Sequence, residues 1–144
     1  MKLILQTQQK QLLKNGSLPL RGQDHYPVVK LFTPWAGATW LLTETDPETP
    51  ELAFGLCDLG LGLAELGYVS LEELQSLKGP FGLRIERDMH FTAKHPLSVY
   101  TEAARLNLLN EGLPYRRTHL IGSPLYEVIN FFSTKVNKSN ILNK

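Results

Sequence analysis

The sequence predicts an α+β fold, a single domain with a mainly antiparallel sheet of about five strands and helices packed on one face. Three observations lead there. Four short strand-like segments follow one another between residues 27 and 69 with brief turns between them, which favours antiparallel pairing. A fifth segment, "LRIERDMHF" (83–91), alternates apolar and polar residues. Helical spacing recurs before, between and after these segments.

Each element has its own signal. A first helix is expected over 8–15, with Thr7 as a cap and "NG" at 15–16 as a stop. "PVVKLFT" (27–33) and "ATWLLTE" (38–44) read as paired strands around the turn "PWAG" (34–37). "ELAFGLCDL" (51–59) and "LAELGYV" (63–69) read as the third and fourth strands. In "SLEELQSLKGP" (70–80), Ser70 and Glu73 have capping-box spacing, and Gly79 with Pro80 ends the helix. Along 83–91, Leu83, Ile85, Met89 and Phe91 should face one side, interrupted by Arg87. Arg84, Glu86, Asp88 and His90 should face the other. "HPLSVYTEAARLNLLNEG" (95–112) reads as a helix in which Leu97, Tyr100, Ala104 and Leu108 share a face. "SPLYEVINFFS" (123–133) reads as a last helix, so the domain is expected over 1–134 with a polar tail at 135–144.

Bulk composition narrows the function classes. A chain of 144 residues with 42% hydrophobic and 20% charged residues suits one soluble globular domain. No apolar run reaches the roughly 18 residues of a membrane span, and the start lacks a secretory core, so a cytoplasmic location and no membrane partner are expected. The single cysteine cannot form an internal disulfide. Net charge is +1, but its layout is uneven. Residues 1–40 carry five basic and one acidic side chain; residues 41–88 carry three basic and ten acidic; residues 89–144 carry seven basic and three acidic. Between Lys30 and Lys78 there is no Lys or Arg, while eight acids occur. Such a stretch repels nucleic acid and attracts a protein partner with a basic surface.

The glycine-rich stretch "AFGLCDLGLGLAELGYVS" (53–70) is not a nucleotide cradle. It has no lysine for a phosphate loop, and Gly60, Gly62 and Gly67 have the wrong spacing for a dinucleotide fingerprint. Its glycines suit turns, bulges or close backbone approach. Cys57, with apolar and acidic neighbours, reads as a buried, unreactive thiol. One cysteine and four scattered histidines do not make a metal site, and no cofactor is called for.

The phrases "PVVKLFTPWAGATWLLTE", "LAFGLCDLGLGLAELGYVSL" and "GLRIERDMHF" resemble a small bacterial family of unknown function carried on plasmids and integrative conjugative elements. The resemblance spans roughly residues 26–106. It implies a mobile-element setting and brings no catalytic residues.

Two functional readings follow. In the first, the chain is a non-enzymatic binding or accessory protein of a mobile element. It presents an acidic surface at about residues 44–65 to a basic partner, for instance a host-defence or conjugation protein. The candidate binding residues are Trp35, Glu44, Asp46, Glu48, Glu51, Asp58 and Glu65, where Asp58 and Glu65 flank the glycine turn and can approach across a hairpin. Trp35 enters as an aromatic anchor. The alternative is a small metal-assisted hydrolase built on the polar strand face Arg84, Glu86, Asp88 and His90, because a carboxylate beside a histidine can position a water or a divalent ion. Arg116, Arg117 and His119 form a basic patch too small to bind nucleic acid.

Overall fold

The computed structural model describes residues 1–110. The chain runs α1 (Gln6–Gly16), β1 (Val29–Phe32), β2 (Thr39–Thr45), β3 (Leu52–Asp58), β4 (Ala64–Ser70), α2 (Leu71–Ser76), a 3-10 turn (Pro80–Gly82), β5 (Glu86–Arg87) and α3 (Leu97–Asn110). The five strands form one antiparallel sheet in the order β4-β3-β2-β1-β5. The α+β class stands. The last expected helix (123–133) and the polar tail lie outside the described residues.

Local chemistry explains most element ends. Ser70 caps α2, its hydroxyl accepting the Glu73 N–H at 3.2 Å. α1 begins before Thr7, and the Leu5 N–H donates to the Gln8 side-chain oxygen at 2.9 Å instead. Remote residues satisfy the first turn of α3: the Ser98 N–H donates to Asp24 at 3.0 Å and the Leu97 N–H donates to the His25 carbonyl at 2.9 Å.

Two expectations are corrected. Helices cover both faces of the sheet, not one. Ala53 and Cys57 of β3 pack toward the cluster containing Leu12 of α1 and Leu74 of α2, with Leu31, Trp40 and Leu42. Phe54 and Leu56 turn the other way, to Leu97, Tyr100 and Ala104 of α3. The physical reason lies in β3 itself, where successive residues point to opposite faces and both sets are apolar, so each face needs cover. The second correction is the strand at 83–91, which contracts to Glu86–Arg87. Of its supposed inner row only Ile85 is fully buried, while Leu83 and Met89 are exposed. The 3-10 turn and an isolated Lys78–Arg84 bridge use the first part of that segment to close a hairpin instead.

A β-bulge shapes the middle of the sheet. Leu42 pairs with Gly55 and Glu44 with Phe54, so Thr43 is the extra residue. Its carbonyl accepts the Asn15 side-chain N–H of α1 at 2.8 Å, and its hydroxyl donates to the Phe54 carbonyl at 3.3 Å. Unbulged, strict alternation would put Glu44 on the same face as Trp40 and Leu42. Asn15 is buried, so Asn15→Ala should strand the Thr43 carbonyl and lower stability by about 1–3 kcal/mol in urea unfolding.

Glycines 55 and 67 face each other across β3 and β4, yet their surroundings differ. A Cβ on Gly55 would stand 2.0 Å from the Leu41 carbonyl oxygen, whereas one on Gly67 would meet nothing within 4 Å. Gly55→Ala should therefore cost about 2–4 kcal/mol, because a backbone atom must move. Gly67→Ala should be neutral or stabilising by up to about 1 kcal/mol, since a strand disfavours glycine. Parallel urea titrations of the two variants check both signs.

Candidate functional site

The acids of the middle segment do not form one surface. β3 carries seven residues, which at about 3.3 Å each separates its ends by roughly 20 Å. Glu48 and Glu51 lie at the end where β2 turns into β3; Asp58 and Glu65 lie at the other, where β3 turns into β4. Asp58 and Glu65 also fail to meet each other. Asp58 pairs with Ala64 and Glu65 with Cys57, so the two carboxylates point to opposite faces. Asp58 instead accepts the Gly60 N–H at 2.8 Å, a local turn bond.

The β2–β3 connection, "DPETP" (46–50), is held by its own side chain. Asp46 accepts the Glu48 N–H at 2.8 Å and pairs with Arg21 at 3.5 Å. The Glu51 carbonyl accepts the Leu71 N–H at 2.8 Å, which brings the start of α2 alongside. A groove of about 460 Å³ opens between this junction and the N-terminal segment. Leu3, Ile4, Pro50 and Leu71 supply its apolar lining. Glu51 and Glu72 bring carboxylates, Gln9 and Gln75 amides, and Lys2 one cation. Glu48, Glu51, Glu72 and Glu73 are all exposed, and none has an ion-pair partner among the described residues. Such a groove can take the aliphatic stem of a Lys or Arg along its apolar lining while the carboxylates meet the charged head. Glu72, Gln9 and Gln75 were not singled out in the sequence, because helix periodicity alone marks them only as a polar face.

Glu44 is not a surface acid. It is only 3% exposed, placed by the bulge on the same face as Phe54 and Tyr68. Its carboxylate accepts the Gly22 N–H at 3.3 Å, and His25 Nε2 stands 4.0 Å away. Burial pushes the carboxyl above its ordinary value, opposed by the Gly22 N–H, His25 and Arg21, while Asp46 adds to the rise. Burial likewise raises the Tyr68 hydroxyl, against a hydrogen bond with Arg21. This cluster fastens the loop between α1 and β1 onto the sheet. A carboxyl raised on folding favours the folded state most below its unfolded value, and that contribution is lost as pH rises through its folded value. The stability of the natural chain relative to Glu44→Gln should therefore be greatest in acid and decline as pH rises upward from the ordinary carboxylate range. Urea midpoints of both proteins across that range test the sign.

Trp35 is half-buried and packs against the core, its ring seated where a Cβ on Gly79 would stand (2.2 Å from the nearest ring atom). Cys57 is half-buried, less enclosed than its apolar neighbours imply, and its thiol is pushed up to about 11 by burial and by Glu65. At neutral pH it is a poor nucleophile.

The polar row Arg84, Glu86, Asp88 and His90 does not exist as a face, because the strand that would align it is two residues long. Arg84 donates to the Gln75 carbonyl at 3.0 Å. Asp88 pairs with Lys30 at 3.5 Å and accepts the His90 N–H at 3.0 Å. Glu86 sits opposite Phe32. Among the described residues no three His, Cys, Asp or Glu side chains converge as a metal site. Arg116, Arg117 and His119 lie outside the described residues. No helix among the described residues is long and apolar enough to cross a membrane.

A family model described as a protein of unknown function (DUF2958) matches residues 3–108. No curated protein and no solved structure matches the chain.

Proposed function

The chain belongs to the DUF2958 family, whose function is unknown, and from that premise we propose that it is a non-enzymatic binding protein whose acidic groove receives a basic segment of a protein partner. One observation carries this reading. The carboxylates of Glu48, Glu51, Glu72 and Glu73 are exposed without cationic partners among the described residues, in a chain that has no Lys or Arg between residues 31 and 77. Uncompensated like charges destabilise a surface unless something of opposite sign binds there. The apolar lining beside Glu51 and Glu72 favours a Lys or Arg side chain over a free ion. The same charge disfavours nucleic acid. The resemblance of residues 26–106 to element-borne bacterial proteins supports a cytoplasmic, mobile-element setting, with a host-defence or conjugation protein as the partner.

The hydrolase reading has no observation in its favour, since its residues do not converge. Glu44 and Asp46 also leave the binding set: the first is buried and the second is paired with Arg21.

Reversing the exposed acids tests the proposal. The triple variant Glu48→Lys, Glu51→Lys, Glu72→Lys should leave unfolding stability within about 0.5 kcal/mol, as expected for exposed positions. It should reduce affinity for a partner captured from the native host at least tenfold. Binding by the natural chain should weaken steadily between low and high salt, because exposed charges are screened over about 8–10 Å at physiological ionic strength. Capture that survives the triple reversal and is indifferent to salt would refute the acidic groove as the interface.

A further inference from the structure

The seven residues Lys78–Arg84 form a small, tightly built hairpin. The Gly79 N–H donates to the Leu83 carbonyl at 2.7 Å, and the Leu83 N–H donates to the Pro80 carbonyl at 3.1 Å. Lys78 and Arg84 bridge at its base. Trp35 buttresses it from below, filling the space a side chain on Gly79 would need. The Gln75 carbonyl holds the Arg84 guanidinium.

At the tip stands Phe81. Its φ is +59°, in the left-handed region, and among the described residues no other non-glycine residue has a positive φ. Bulky L side chains are rare there, because Cβ crowds the backbone carbonyl. Its ring is also fully exposed, at 102% of the reference area. Two unfavourable features thus coincide in one residue, on a hairpin rigid enough to maintain them.

We propose that this hairpin is a docking knob, and that the Phe81 ring enters an apolar pocket rimmed by carboxylates on a protein partner. Strained conformations persist where function uses them. A hairpin backbone already held by its own hydrogen bonds has less freedom to lose on binding, and aromatic side chains are enriched in interface cores. The rim chemistry follows from the base of the hairpin. Lys78 and Arg84 put two cationic residues at the base of the hairpin that carries the ring, and neither has an ion-pair partner among the described residues. A lipid surface is the weaker fit: a fluid bilayer accepts an exposed aromatic in any orientation and gives no return for holding Phe81 in a strained one. The knob does not depend on the acidic groove. Its charge is opposite and its residues are different, so variants of the two surfaces fail independently.

Two measurements on the full chain test the proposal. Asparagine tolerates the left-handed region, so Phe81→Asn should leave the urea midpoint unchanged or raise it. A lower midpoint would show that the ring packs on its own chain, and would overturn the knob. Phe81→p-benzoylphenylalanine, irradiated in native host cells, should give an adduct with one protein, mapping to an apolar pocket flanked by Asp or Glu. With that protein purified, Phe81→Asn should weaken binding at least tenfold. The pair Lys78→Glu, Arg84→Glu should weaken it at least threefold and flatten its salt dependence. Adducts with lipid, with the chain itself, with many proteins or with none would each overturn the proposal, as would unchanged affinity in the variants.

Discussion

The Asn15 amide on the Thr43 carbonyl is the contact around which the sheet is organised. It joins α1 to β2 at the bulge, where the strand changes phase. Upstream of the bulge, Trp40 and Leu42 face the α1 core; downstream, Thr45 returns to that core and Glu44 is turned to the α3 side. The same region demands glycine where backbones converge. A side chain on Gly16 would overlap the Thr45 carbonyl, and one on Gly55 would overlap that of Leu41. The strand "TWLLTET" (39–45) cannot keep strict alternation without placing a carboxylate beside Trp40. An inserted residue resolves that conflict, and a helix side chain takes up the carbonyl left out of the ladder.

Moving Glu44 out of one core does not return it to water. It stays buried on the second face, where Gly22, His25 and Arg21 compensate it. That compensation ties the loop between α1 and β1 to the sheet. The loop in turn supplies Asp24 and the His25 carbonyl to the first turn of α3. One buried carboxylate is therefore connected, through a single loop, to the placement of the helix that covers the second core. The neighbouring acids behave otherwise. Glu48, Glu51 and Glu72 remain exposed and have no such compensation among the described residues.

Helix α2 contributes to the two surfaces proposed for binding. On one side its Leu71, Glu72 and Gln75 line the acidic groove. On the other, the Gln75 carbonyl holds Arg84 at the base of the Phe81 hairpin. A short, well-capped helix thus serves both a negative concave surface and a positive convex one.

Local chemistry was readable from the sequence wherever neighbours in the chain decide the outcome. The α+β class, the four-strand meander, the Ser70 cap and the shared face of Leu97, Tyr100 and Ala104 rest on short-range pattern. So does the absence of cations between residues 31 and 77. Tertiary structure alone decided the rest. Cover on both faces of β3 depends on where α3 returns, and 83–91 lost its strand to a hairpin closed against Trp35. The bulge turned Glu44 into the second core, and packing left the other acids of that stretch either paired, as Asp46 is with Arg21, or largely exposed. Periodicity tells which residues alternate, but it does not tell where alternation slips. A one-residue slip reverses every later side chain, and only the packed partner on the facing element selects it.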